Sequence, residues 1–140
     1  MGKLTRSELL ELLDTAEVAV LCTVDGEGKP EGSPVWFEHR RGKMLVHVAT
    51  ESKKARNIRS NPNVSLTLDT RTPPYRGVVL HGTARIVERD AALAGRIAHR
   101  YLGRELGEAY LEATAADAAE SVLLQIEITS KYTWDYSKGL

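Results

Sequence analysis

Short runs of β-branched and apolar residues, separated by tight turns, follow one another along most of the chain. The first two runs flank Asp25-Gly26-Glu27-Gly28, a turn sequence, and are therefore predicted to form a hairpin. Such turns join antiparallel strands, whereas parallel strands need a long crossover each time. The pattern predicts a small antiparallel barrel, mainly β with peripheral helices. Its six strands are predicted at Glu17–Asp25, Gly32–Glu38, Lys43–Ala49, Val64–Leu68, Val78–Val87 and Val122–Thr133.

Helices are predicted in three places between and before these strands. The leucines of residues 4–15 lie at helical spacing, which indicates a short amphipathic helix. Residues 52–60 form a helical interruption that ends before an Asn-Pro pair. Residues 90–119 are rich in Ala, Arg, Glu and Leu, and they predict two helices joined near Gly103 or Gly107.

Composition limits the size of the fold and the classes of partner. With 42% hydrophobic residues in 140, the chain supports one domain over residues 1–140. Nineteen basic and nineteen acidic residues balance to a net charge of zero, which argues against nucleic acid and anionic membranes as partners. No apolar run reaches the roughly 18 residues of a membrane span, and the amino terminus does not resemble a signal peptide, so we expect a cytoplasmic protein. Its single cysteine, Cys22, lies in an apolar run and is expected to be a buried thiol.

The segment TESKKARNI, residues 50–58, places three cations in four positions at a predicted strand-to-helix junction. Ser52 is a candidate N-cap, and a helix amino terminus with free N–H groups attracts phosphate. Lys54 shares a helix face with Ile58, which must pack inward, so Lys54 is predicted to touch a bound phosphate. Lys53 and Arg56 lie further toward solvent and would supply a flanking field. The alternative is a solvated basic face without a ligand.

Three blocks of sequence together resemble the pyridoxamine 5'-phosphate oxidase-like split β-barrel family. They are Gly-Ser-Pro-Val-Trp-Phe at 32–37, T-x-S-K-K-x-R-N-I-x-x-N-P-x-V-S-L at 50–66, and Tyr-Arg-Gly-Val-Val-Leu-His-Gly-Thr-Ala-Arg at 75–85. Lys-Tyr-Thr-Trp-Asp at 131–135 is also similar to short bacterial members. The resemblance implies a six-stranded split β-barrel of the FMN-binding type. It also implies a homodimer with flavin-type cofactors in clefts along the subunit interface.

The resemblance assigns positions of this chain to parts of a cofactor. It places Ser33, Pro34, Val35 and Trp36 beside the ring system, and Val48, Ala49 and Thr50 along the path from the ring to the phosphate. Lys54, three positions before Asn57, reaches the phosphate within the block that also contains Ser52, Lys53 and Arg56. Tyr75, Arg76 and Gly77 are implied as contacts from the second subunit, and Trp134 as a cap over the ring.

The resemblance implies a flavin-dependent oxidoreductase that acts on a small conjugated substrate. FMN is the preferred cofactor; coenzyme F-420 and haem are alternatives, as is a non-catalytic binding protein. The oxidase itself usually has an arginine where Ser33 stands and a glutamine where Gly77 stands, and it has a longer carboxy-terminal segment, so we expect no pyridoxamine phosphate oxidation. No catalytic side chain is assigned, because a flavin ring itself carries the hydride. The scattered histidines predict no metal site.

Overall fold

The fold was taken from a computed structural model, which describes residues 2–15 and 17–139. A single antiparallel sheet dominates it, in the strand order β2-β1-β5-β6-β7-β4-β3. The strands are β1 (Ala19–Val24), β2 (Pro30–Val35), β3 (Glu38–Arg40), β4 (Lys43–Ala49), β5 (Asn63–Asp69), β6 (Arg76–Glu88) and β7 (Ser121–Asp135). The helices are α1 (Arg6–Leu13), α2 (Lys53–Ser60), α3 (Ala91–Ala113) and α4 (Ala115–Ala118), followed by a 3₁₀ turn at Tyr136–Lys138.

The sheet is a split barrel with seven strands rather than the predicted six. The segment predicted as one strand, Gly32–Glu38, is divided at Trp36 and Phe37. Its first part pairs with β1 at one edge of the sheet, and its last residue begins β3, which pairs with β4 at the opposite edge. Two residues span at most about 11 Å between the strand ends, so the sheet must curl to bring its edges together. No glycine or proline marks this break, and the apolar run continues across it.

Strand β1 shows how the alternation of side chains builds the core. Its inward residues Ala19, Leu21 and Thr23 are buried, and the residues between them are half-buried. Cys22 belongs to the second set, so the expectation of a fully buried thiol was wrong. The period of two places successive side chains on opposite faces, and an apolar neighbourhood in sequence does not override it.

Two apolar clusters lie on opposite sides of the curled sheet. The larger cluster fills the barrel and includes Leu12, Phe37, Leu66, Leu80 and Ile126. The smaller cluster joins the outer face of the sheet to α3 through Leu45, Leu93, Ile97 and Leu123. Helix α3 is therefore packed against the outside of β4 and β7. Among the described residues, no helix has the length and apolar character that crossing a membrane requires.

Helix α3 is bound to the barrel at its middle and breaks immediately afterwards. Arg100 donates to the carbonyl oxygens of Phe37 at 3.1 Å and Leu13 at 3.0 Å. The hydroxyl of Tyr101 donates to the Glu17 carbonyl oxygen at 2.8 Å, and burial raises the pKa of this phenol. The helix is broken at Gly103, whose φ of 79° is a conformation that favours glycine. Gly103 is one of the two positions at which the sequence predicted a joint between two helices. After this break, Gly107 lies against Ala98 and His99 of the first part of the helix.

Candidate functional site

A cavity of about 660 Å³ lies between the sheet and α3–α4. Leu45, His47 and Ala49 point to the outer face of β4, where α3 packs, while Met44 and Val46 face the barrel core. The cavity is lined by Val18, Pro34, Val35, Trp36, His47, Val48, Ala49, Ser52, Lys54, Arg89, Ala94, Ile97, Ala98, Tyr110, Leu111, Thr114, Asp117, Ala118 and Ser121. Seven of the predicted cofactor residues are in this lining: Pro34, Val35, Trp36, Val48, Ala49, Ser52 and Lys54.

The amino terminus of α2 reaches the cavity through a capped turn. Ser52 is the N-cap, as predicted, and its Oγ accepts from the Ala55 N–H at 3.2 Å. Within the described part of the chain, the backbone N–H groups of Lys53 and Lys54 donate to no protein acceptor. Free N–H groups and the helix dipole favour an anion at this position. The turn that follows β4 therefore presents an electropositive end to the cavity.

The three cations of the basic turn have different surroundings. Lys54 is half-buried and lines the cavity, and no described carboxylate lies within 4.0 Å of its ammonium. Lys53 is exposed, and its Nζ lies 2.7 Å from Glu31 Oε2, a hydrogen bond that raises the pKa of Lys53. Arg56 donates to the Glu51 carbonyl oxygen at 2.8 Å. Of these three cations, only Lys54, the predicted phosphate contact, lines the cavity.

Three other predicted cofactor residues lie near the cavity without lining it. Asn57 is buried, and its amide donates to Thr23 Oγ1 at 3.0 Å, so this side chain links α2 to β1. The Oγ of Ser33 is buried without a hydrogen-bond partner in the described structure, and Ser33 is not in the cavity lining. The backbone N–H of Thr50 donates to the backbone carbonyl oxygen of Glu120 at 2.8 Å.

Trp36 gives the cavity lining an aromatic wall. Its ring stacks on Tyr101 with centroids 5.0 Å apart and planes 6° apart, and Tyr110 lies 5.1 Å away at an angle of 51°. Tyr101 is fixed by its hydroxyl hydrogen bonds, so the stacked face of Trp36 is held in place. An aromatic wall of this kind suits a planar, apolar ligand.

The remaining predicted contacts lie away from this cavity. Tyr75 precedes β6, and Arg76 and Gly77 begin that strand. Gly77 pairs directly with Trp134 of β7. The resemblance assigns these residues to a site in a partner subunit, and the arrangement within one chain leaves that assignment as a prediction.

Several lining residues were not anticipated from the sequence. His47 lies on the outer face of β4, and its Nε2 accepts from the Asp90 backbone N–H at 3.2 Å. Burial lowers the pKa of His47, and the Arg89 charge lowers it further, so this imidazole is neutral at pH 7. Two charged residues of the lining, Arg89 and Asp117, were also not predicted from the sequence. The alternation of side chains along β4 was the one sequence pattern that could have indicated these lining residues, and it indicated only His47.

Comparison with known proteins identifies the family. The family described as pyridoxamine 5'-phosphate oxidase matches residues 5–135. The chain belongs to the pyridoxamine 5'-phosphate oxidase family. The resemblance drawn from the three sequence blocks is thereby confirmed.

Solved structures of the same fold come from proteins with different roles. A conserved hypothetical protein of Mycobacterium tuberculosis is 26% identical, with a TM-score of 0.80 over 98% of this chain and 89% of that chain. An F420 reductase is 23% identical, with a TM-score of 0.66 over 87% of this chain and 94% of that chain. The haem storage protein HutZ of Vibrio cholerae is 20% identical, with a TM-score of 0.67 over 93% of each chain. The last two similarities show a common fold.

Gly77 marks a physical difference from the oxidase pattern, in which a glutamine is usual. A Cβ at this position would lie 2.5 Å from Trp134 Cζ2 and 2.7 Å from the Leu68 carbonyl oxygen. A glutamine therefore does not fit unless the backbone of β5 and the Trp134 ring both move. Within the pyridoxamine 5'-phosphate oxidase family, this chain uses the space at the start of β6 for the indole of Trp134.

Proposed function

We propose that the protein is an oxidoreductase that binds a flavin-type cofactor, with FMN as the first candidate and coenzyme F-420 as the second. One observation carries the proposal: Lys54 has no carboxylate partner within 4.0 Å among the described residues and stands beside free N–H groups at a largely apolar cavity. A cofactor with a planar ring and a phosphate has the matching chemistry.

The residues present fit both parts of such a cofactor. Lys54 and the N–H groups at the start of α2 would hold the phosphate through charge-assisted hydrogen bonds. The apolar wall that includes Pro34, Val48 and Ala49, together with Trp36, would hold the ring and exclude water from one side. The bound ring would supply the two-electron hydride chemistry, and the protein would position the small conjugated substrate against it.

We further propose that the protein acts as a homodimer. Tyr75, Tyr132 and Tyr136 are exposed near the carboxy-terminal end of β7, and Tyr132 lies 6.0 Å from the Trp134 ring. Aromatic residues of this kind are enriched at protein interfaces. Light scattering at micromolar concentration should give twice the mass of the chain, and Tyr132→Lys should shift the mass toward that of one chain. A monomeric wild-type protein would contradict the proposal.

The cofactor proposal is tested first by spectroscopy and titration. The purified protein is examined for flavin, deazaflavin or haem absorbance, and the cofactor-free protein is then titrated in parallel with FMN, F-420 and haem. We expect binding of FMN, or of F-420, well above that of haem, followed by steady turnover with a quinone acceptor and a suitable reductant. Preferred F-420 binding would assign a deazaflavin-dependent reductase. Tight binding without turnover would leave a carrier or storage protein, and binding of none would reject the proposal.

A further inference from the structure

Arg89 is a second cation in the cavity lining, and it belongs to a different segment of the chain from the basic turn. It follows the last residue of β6, Glu88, and precedes Asp90, the N-cap of α3. It is half-buried and lines the cavity together with Lys54. In residues 2–15 and 17–139, no carboxylate lies within 4.0 Å of its guanidinium, and the side chain makes no hydrogen bond. The guanidinium has five N–H donors and no protein acceptor, so its donors are free to bind a ligand that enters the cavity.

Among the described residues, no acidic side chain lies within 4.0 Å of the Arg89 guanidinium, its two sequence neighbours included. The Asp90 carboxylate accepts from the Leu93 N–H at 3.0 Å and is thereby used as the cap of α3. The backbone N–H of Asp90 is used by His47, which fixes the segment around Arg89 against β4. Asp117 lines the same cavity but lies more than 4.0 Å from either cation. The cavity lining therefore has two cations and one carboxylate, with His47 neutral.

The two cations belong to segments that adjoin β4 at different positions. Arg89 is held beside His47 by the Asp90 contact, whereas Lys54 belongs to the helix that begins after Ala49. His47 and Ala49 share one face of the strand and are about 7 Å apart along it. An anion at the amino terminus of α2 already has Lys54 and two free N–H groups as donors, so the Arg89 guanidinium is available to another anionic group. Two separate anionic groups match this arrangement better.

We propose that Arg89 forms a second anion subsite, which binds a carboxylate or phosphate other than the one at Lys54. The planar guanidinium offers two parallel N–H donors to such a group, and the largely apolar surroundings strengthen the charged hydrogen bonds. The second anion has two chemical sources. It belongs either to the acidic tail of a coenzyme such as F-420 or to an acidic substrate. The identity of the first anion rests on the proposed function, whereas the Arg89 subsite itself does not.

The test compares Arg89→Gln with wild type and with Arg85→Gln, a matched control four residues earlier in β6 whose guanidinium is exposed and lies 2.9 Å from Gln125 Oε1. Calorimetric titrations use FMN, F-420 and the pair 2-naphthoate and 2-naphthamide, which differ by one charge. The naphthalene pair is titrated into both cofactor-free and FMN-loaded protein. Thermal melting followed by circular dichroism verifies that each variant is folded.

We expect Arg89→Gln to weaken binding of F-420 or of 2-naphthoate about tenfold or more, the scale of one charged hydrogen bond. The affinities for FMN and 2-naphthamide should change less than about twofold in that variant. In Arg85→Gln, the affinity for every probe should stay within the same roughly twofold range. Loss confined to F-420 would assign the anion to the coenzyme tail, and loss of 2-naphthoate on FMN-loaded protein would assign it to the substrate. Asp117→Asn should strengthen binding of the affected anion about two- to threefold, which a damaged fold would not do.

Two outcomes would overturn the subsite. The first is equal affinity of wild type and Arg89→Gln for every anionic probe, which includes the case in which wild type binds neither F-420 nor 2-naphthoate. The second is loss of 2-naphthoate only in Lys54→Gln, which would place this probe at the basic turn. Failure of the proposed function would look different: FMN and F-420 would both fail to bind wild type, while the charge-dependent difference between the naphthalene probes would still respond to Arg89.

Discussion

Replacing Lys54 with alanine is expected to weaken FMN binding by roughly 1.5–3 kcal/mol, or about 10- to 150-fold. The ammonium of Lys54 is the cation of the basic turn that faces the cavity, and no described carboxylate competes for it within 4.0 Å. Its loss removes a charge-assisted hydrogen bond and leaves the phosphate with the N–H groups at the start of α2. Calorimetry or quenching of flavin fluorescence measures the change directly. If the protein binds F-420 instead, the same loss should appear with that coenzyme.

Two controls make the Lys54 result specific to the phosphate. Lys53→Ala removes the same side chain one position earlier, but that ammonium is exposed and lies 2.7 Å from Glu31, so FMN affinity should change by less than about twofold. Riboflavin has the ring of FMN without the phosphate, so its affinity should be equal in wild type and Lys54→Ala. A parallel loss of riboflavin binding would contradict a phosphate contact and indicate a change in the shape of the cavity instead.

The local part of this site could be predicted from the sequence because it depends on local geometry. A serine at the N-cap, a lysine in the first turn and an isoleucine four residues later fix which face of a short helix turns inward. Ser52, Lys54 and Ile58 have the predicted positions. The alternation of side chains likewise predicted five of the strands closely enough to indicate an antiparallel barrel.

The other wall of the cavity depends on contacts between distant parts of the chain. Asp117 enters the lining through the placement of α4, and Arg89 through the Asp90–His47 hydrogen bond between the start of α3 and β4; no local period in the sequence indicates either contact. Asn57 also has a long-range contact that its local sequence did not indicate. Its place in the basic block suggested a cofactor contact, whereas its amide binds Thr23, 34 residues earlier in the chain. The division of the second predicted strand at Trp36 and Phe37 is also long-range, because the two halves pair with opposite edges of one sheet.

Phe37→Ala is expected to destabilise the protein by about 3–5 kcal/mol, the usual cost of removing a fully buried phenylalanine. Phe37 is 0% exposed, and it occupies the two-residue link between the edges of the sheet. Its ring packs 6.5 Å from Tyr101 and 4.9 Å from the Arg100 guanidinium. The substitution therefore leaves a cavity where the curled sheet closes on α3. A loss of this size is a large part of the stability of an ordinary domain.

Urea unfolding followed by circular dichroism measures this loss, with Leu106→Ala as the control. Leu106 is 64% exposed, so its truncation should cost less than about 0.5 kcal/mol. A riboflavin titration of the folded variant separates a local cavity in the barrel from a loosened aromatic wall. Arg100 and Tyr101 hold α3 to the barrel beside Phe37, and Trp36 stacks on Tyr101, so a mobile α3 would disturb the aromatic wall. Folded Phe37→Ala protein should then bind the cofactor ring, and hence riboflavin, more weakly, which Lys54→Ala should not do. A loss of stability with unchanged riboflavin affinity would show that the link stabilises the barrel without shaping the cavity.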